Sequence, residues 1–197
     1  MHSKFTAIIL SGGNNSRMQG KNKSFLKLGD SSFLEHLLHT LSPLFSQILL
    51  VTREPHLYTQ FNIDVISDKY TKQCSLTGIH AGLSQAVYKH AFVTACDTPL
   101  LKRELVSLLL EETTQRDDVV VPKQKCFYEP LCAVYSKDCI QYIEKMLSEN
   151  NLKISDLYKN IRLKEITEKW IETADPGQES FVNINTPQDL KWLNSLY

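Results

Sequence analysis

The stretch FTAIILSGGNNSRMQGKNK, Phe5 to Lys23, runs from an apolar segment straight into a loop rich in glycine, asparagine and cations. The run Phe5 to Leu10 predicts a buried strand. The residues after it cannot continue a strand, because Gly12, Gly13 and Gly20 break the pattern while Arg17, Lys21 and Lys23 add charge. In an open parallel sheet, ligands gather at the carboxyl ends of the strands, so a loop there is a site candidate by position alone. Glycines at 12 and 13 would permit positive φ and a close approach of backbone N–H groups to an anion. Arg17, Lys21 and Lys23 would donate to phosphate oxygens. The composition fits a phosphate cradle and equally a solvated surface loop. It is neither a Walker A loop, since Asn15 and Asn22 stand where glycine and a hydroxyl belong, nor a G-x-G-x-x-G dinucleotide loop.

Beyond this segment, Gln47–Thr52, Ile63–Ile66, Ala91–Ala95 and Asp118–Val121 read as further buried strands. Helical spacing joins Leu34, Leu37, Leu38 and Leu41 behind a Ser32-x-x-Glu35 capping box. It also joins Ile79, Leu83 and Val87, and then Leu101, Leu105, Leu108 and Leu109 behind a Thr98-Pro99 helix start. Strands alternating with helices predict a three-layer α/β/α sandwich on a mostly parallel, Rossmann-like sheet. The second half is less regular. Phe127 to Tyr135 reads as extended, Cys139 to Met146 as helical, Phe181 to Ile184 as a short strand, and Thr186-Pro187 opens a last helix towards Leu196.

A length of 197 residues suits one domain, 1–197, with no repeat, low-complexity tract or linker. Lys+Arg 22 against Asp+Glu 22 gives a net charge of zero, so no global field draws the chain to nucleic acid or anionic lipid, and an anion must be met locally. No apolar run is long enough for a membrane helix. Five cysteines, an odd number without a C-x-x-C pair, and no recognisable export signal favour reduced thiols in a cytoplasm. Asn14-Asn15-Ser16 then has the form of a glycosylation acceptor by chance.

Within Ala95–Leu101, ACDTPLL, Asp97 ends a strand at the same sheet edge as the glycine loop. It is either a turn or cap residue or a ligand for Mg²⁺, which binds through one or two carboxylates plus phosphate oxygens. Asp68, after the strand Ile63–Ile66, carries the same two readings. Cys96 has no histidine partner and reads as a core residue rather than a nucleophile. His36 and His39 read as a surface pair, and Glu129-Pro130 as a strand edge or the wall of an acceptor pocket.

The order of L-x-G-G-x-x-x-R-M-x-G-x-x-K at 10–23, Asp68, Leu76-Thr77-Gly78-Ile79 with Gly82-Leu83, Cys96-Asp97-Thr98-Pro99, Glu129-Pro130-Leu131 and Phe181-Val182-Asn183-Ile184-Asn185-Thr186-Pro187 resembles the molybdenum cofactor guanylyltransferases over nearly the whole chain. The resemblance implies a nucleotide-binding α/β fold and transfer of GMP from GTP to the terminal phosphate of molybdopterin, with Mg²⁺ as cofactor. It implies that Leu10, Ser11 and Gly12, with Gly13 in the same loop, contact GTP through their backbone. Lys23 and Asp68 would share that site, Asp97 would bind Mg²⁺, and Arg17 would lie near the phosphates. Asn183 and Asn185 would face the pterin, placing a GTP and metal half at about 1–122 and a pterin half at about 123–197. GTP and molybdopterin are the implied substrates, and molybdoenzymes or their chaperones the implied recipients, without nucleic acid or membrane. Three residues depart from the pattern: Ser11 for alanine, Asn22 for aspartate, and Leu50 for a nucleotide-contacting asparagine. The alternatives are a cytidylyltransferase or sugar-phosphate nucleotidylyltransferase of the same fold, or a carrier that holds the finished cofactor.

Overall fold

The computed structural model describes residues 3–12, 22–68, 70 and 74–196. Its sheet is built from β1 (Ser3–Ser11), β4 (Phe45–Thr52), β5 (Asp64–Ser67), β6 (His90–Ala95), β7 (Val119–Gln124), β9 (Cys132–Ser136) and β10 (Leu163–Ile166), with β8 (Phe127–Tyr128) pairing β7. The order is β10-β7-β9-β6-β1-β4-β5. β1 pairs in parallel with both β4 and β6, and β10 with β7, while β9 runs antiparallel between β6 and β7. A short β2 (Lys27–Leu28) and β3 (Ser31–Ser32) form a separate antiparallel pair.

Alternate residues of β1 face opposite layers, as a strand of period two requires. Ala7 and Ile9 pack with Leu34, Leu37 and Leu41 of α1 (Phe33–Leu41), with Leu105, Val106 and Leu109 of α3 (Arg103–Glu112), and with Ile171 of α6 (Glu168–Ala174). Ile8 and Leu10 pack with Leu76, Ile79 and Leu83 of α2 (Ser75–Gln85), with Ile143 and Met146 of α4 (Ile140–Ser148), and with Leu157 of α5 (Ile154–Leu157). This is the expected three-layer sandwich. The α2 helix lies close against β1: a Cβ on Gly82 would stand 2.6 Å from Ile8 Cγ2, and one on Gly78 would stand 3.1 Å from Leu10 Cδ2. Both glycines are packing residues first.

Several local expectations need correction. The Ser32 capping box forms, with Ser32 accepting from Glu35 N and Glu35 accepting from Ser32 N. Thr98-Pro99, however, does not open a helix. The Thr98 hydroxyl is turned back onto Ala95 O, and the amide of Lys102 donates to Ser180 Oγ, so α3 begins only at Arg103. α2 stops at Gln85, leaving Val87 exposed. The extended run 127–135 is broken at Glu129–Leu131 between β8 and β9.

Phe181 to Ile184 is no strand. A 3₁₀ turn, Glu179–Phe181, is fixed by the Asp175 carboxylate accepting from Glu179 N and Ser180 N, and Ile184 N then donates to Asp97 O. The last helix, α7 (Pro187–Asn194), has a Thr186–Asp189 capping box and ends short of Leu196. The Ile184 side chain joins Leu26, Leu28, Phe33, Leu100 and Leu193 in a small separate core. That core draws three distant segments beneath the carboxyl edge of the sheet.

Candidate active site

A cleft of about 590 Å³ opens at that edge. Its walls include Leu10, Ser11 and Gly12 at the end of β1, Val51, Thr52, Arg53 and Glu54 after β4, Asp68 after β5, Asp97 after β6, and Leu131 and Asn183 from the second half. β1, β4, β5 and β6 thus each deliver their last or following residues to one pocket. No described atom stands within 4 Å of where a Cβ on Gly12 would be, and its φ is not positive. Gly12 is therefore not in the left-handed conformation that a glycine there would permit. Leu10 O is already engaged by Cys96 N at 3.0 Å. Gly13, Arg17 and Lys21 lie outside the described residues.

Lys23 is the centre of the polar arrangement. Its Nζ donates to Asp97 Oδ2 at 2.8 Å and to Asn185 Oδ1 at 2.6 Å, joining three segments of the chain. Among the described residues two of its three donors are used in this way. Lys23 and Asp97 are largely covered, with side chains 15% and 19% exposed, so their attraction is only partly screened. The other oxygen, Asp97 Oδ1, is buried without a hydrogen-bond partner among the described residues. A buried carboxylate oxygen left unpaired is costly, and a cation or a further donor is what satisfies one. Asp97 therefore fits the donor chemistry of a Mg²⁺ ligand. Among the described residues no group of three or more metal-ligating side chains is present.

Asp68 is in the cleft with both oxygens occupied: Oδ1 accepts from Tyr70 N at 2.9 Å and Oδ2 from the Thr77 hydroxyl of α2. Asn183 lines the cleft, its amide turned to Phe181 O at 3.1 Å, whereas Asn185 enters the site through Lys23. Leu50 does not reach the cleft. It is fully buried in the core between Ile9 and Val65, so its replacement of an asparagine removes no side chain from the pocket. Burial and the neighbouring Asp97 charge raise the Cys96 thiol above its ordinary range, which disfavours a thiolate nucleophile. The His36 ring is tied to Leu28 O at 2.9 Å and forms no pair with His39.

The other two departures meet at one atom. Ser11 Oγ lies 2.6 Å from Tyr58 OH, and Asn22 Nδ2 donates to the same hydroxyl at 2.8 Å. Tyr58, like Thr52 to Glu54, was not singled out from the sequence, because a tyrosine in a polar stretch gives no signal of what its ring packs against.

Residues 7–165 match the model of the MobA-like NTP transferase domain. The chain belongs to this family. It is 37% identical to the molybdenum cofactor guanylyltransferase of Desulfosudis oleivorans over 186 residues, which cover 94% of this chain and 92% of that protein. It is 35% identical to a probable molybdenum cofactor guanylyltransferase of Natranaerobius thermophilus, over 97% of this chain and 95% of that one. The crystal structure of molybdopterin-guanine dinucleotide biosynthesis protein A from Archaeoglobus fulgidus superposes with a TM-score of 0.86 at 27% identity, covering 98% of both chains. The nucleotidyltransferase fold is thus shared across the full described length. Among the described residues no helix is long and apolar enough to cross a membrane.

Proposed function

We propose that this chain is a molybdenum cofactor guanylyltransferase, transferring GMP from GTP to the terminal phosphate of molybdopterin. The observation that carries the reading is the Lys23–Asp97–Asn185 contact, at the carboxyl edge of the sheet in a cleft large enough for a nucleotide. The names of the closely matching full-length relatives favour guanine and pterin over cytidine or a sugar phosphate. An oxygen of the acceptor phosphate attacks the α-phosphorus of GTP, one P–O bond forms, the bond to the β-phosphate oxygen breaks, and diphosphate leaves with the electron pair. Both reactants are anions, so catalysis is positioning and neutralisation, and no nucleophilic side chain is required.

Lys23, with its remaining donor, and Arg17 neutralise the phosphates and the charge that builds on the leaving diphosphate. Leu10, Ser11, Gly12 and Gly13 cradle the nucleotide through their backbone, and Asp68, held by Thr77 and Tyr70, belongs to the same GTP site. Mg²⁺ held by Asp97 would supply further neutralisation of phosphate oxygens. Asn183 and Asn185 serve the pterin side, and Asn185 orients Lys23 as well. A cytoplasmic setting and delivery of the product to molybdoenzymes or their chaperones complete the reading.

The test is diphosphate release from GTP and CTP, with and without Mg²⁺, using molybdate-charged molybdopterin as acceptor and mannose 1-phosphate as control. Release with GTP, pterin and Mg²⁺ only is expected. Release with CTP or the sugar phosphate would keep the fold and change the substrate, and tight product binding with no release in any mixture would indicate a carrier.

A further inference from the structure

Beneath the cleft, three hydroxyls close a ring. Ser11 Oγ lies 2.6 Å from Ser24 Oγ and 2.6 Å from Tyr58 OH, and Tyr58 OH donates to Ser24 Oγ at 3.2 Å. Tyr58 and Ser24 are fully buried and Ser11 is 4% exposed. Each hydroxyl can donate once and accept around the ring, and such cycles strengthen one another in a dry interior. Asn22 adds a fourth group. Its Nδ2 donates to Tyr58 OH, and its Oδ1 accepts from Ser24 N at 3.1 Å, capping the 3₁₀ turn Lys23–Phe25.

The residues on either side of Lys23 therefore both bond to one tyrosine hydroxyl. The Tyr58 ring is itself fixed, stacked on Phe25 with centroids 5.1 Å apart and tilted against Phe61 at 6.3 Å. We propose that Tyr58 is a positioning residue. Through Asn22 and Ser24 it holds the backbone of Lys23 so that Nζ meets Asp97 and Asn185 and stays presented to the nucleotide phosphates. A lysine has four rotatable side-chain bonds, and fixing its backbone removes the largest displacement left to its charge. The effect on turnover rests on the guanylyltransferase reading, whereas the clamp itself rests on the hydrogen bonds alone.

Tyr58→Phe keeps the ring and removes the shared hydroxyl, with Phe61→Leu as a packing control that trims a ring beside Tyr58 and leaves all three hydroxyls in place. Charge neutralised mainly in the transition state appears in kcat. For Tyr58→Phe, kcat should fall about tenfold or more with the KM for GTP changed less than about threefold, the scale of a misplaced charge-assisted hydrogen bond. Phe61→Leu should lower Tm and leave kcat alone. Independently of turnover, acetylation of Lys23 by acetic anhydride, mapped by mass spectrometry, should run about fivefold faster in Tyr58→Phe than in the wild type and Phe61→Leu, because release from its partners exposes the amine. Unchanged kcat in a folded Tyr58→Phe, or equal Lys23 acetylation in all three proteins, overturns the proposal. A wild type inactive with GTP and pterin would instead overturn the functional reading, and the acetylation rates would still decide the clamp.

Discussion

Two aspartates, at opposite edges of the same sheet, are treated in opposite ways. Asp118, just before β7 at the amino edge, has every demand met: Oδ1 accepts from Arg162 Nη2 at 2.6 Å, and Oδ2 from Arg162 Nε at 3.1 Å and from Arg162 N at 2.9 Å. These bonds from Arg162 outweigh the cost of burial and hold its carboxyl below the usual aspartate range. Asp97, just after β6 at the carboxyl edge, has one oxygen on Lys23 and the other buried with no partner among the described residues. Full satisfaction marks a group whose task ends when the chain folds. On the proposed function, Asp97 is instead a group whose second partner arrives with the substrate.

The largest effect should come from Asp97→Ala. Turnover should drop by a factor on the order of 10³ or more, as expected for loss of a group that supports charge neutralisation in a dry site. Tm should stay within a few degrees, since an unpaired oxygen is removed together with its ion pair. Near-normal turnover of the folded variant would remove the functional half of this contrast.

Next in size is Leu50→Asn, which probes the sheet interior between the two edges. Placing an amide where Leu50 is fully buried should cost about 2–4 kcal/mol, from lost apolar burial and an unpaired polar group. Chemical denaturation would measure that loss. The preference for GTP over CTP should not move; a change in it would mean that position 50 reads the base after all.

Arg162→Ala is the structural counterpart of Asp97→Ala. Removing the donors of a largely buried carboxylate should cost about 1.5–3 kcal/mol and lower Tm by several degrees, with kcat at 25 °C retained. A loss of activity without a loss of stability would reverse the roles assigned to the two edges.

The smallest effect is the pH dependence of that contact. Because the folded-state pKa of Asp118 lies below its ordinary value near 3.8, the contact stabilises fully above that value and is lost as pH falls through the folded one. The Tm gap between wild type and Arg162→Ala should therefore be constant from pH 7 to 5 and narrow below about pH 3.8. A gap that does not narrow at all as pH falls below 3.8 would mean that packing of the arginine stem, not its charge, carries the stability.

What the sequence disclosed divides along the same lines. The strand at 5–10, the Ser32 capping box, the helix start at Thr186-Pro187, and the placement of Asp68 and Asp97 after strands were legible, because each rests on neighbours within a few residues. The start of α3 was not, since the amide that the Thr98-Pro99 reading would have placed inside a helix is satisfied by Ser180, 78 residues away. β10 and α6 were missed because their apolar residues are sparse, with Leu163 and Ile166 in one and Ile171 buried in the other. The Tyr58 ring of hydroxyls was invisible for the same reason: its members are 13 to 47 positions apart and polar, and only folding makes them neighbours.

The Lys23–Asn185 hydrogen bond joins positions 162 residues apart, and Ile184 N is bonded to Asp97 O beside it. During synthesis, a chain emerging from the ribosome amino end first would expose the strand, the loop and Asp97 long before Asn185 exists. The lysine would have Asp97 but lack its second partner until Asn185 had emerged. A nascent or carboxy-terminally clipped chain would thus carry much of the sheet and the beginnings of the cleft, yet lack a finished centre, and competence would arrive late and abruptly with the closing of this one long-range contact.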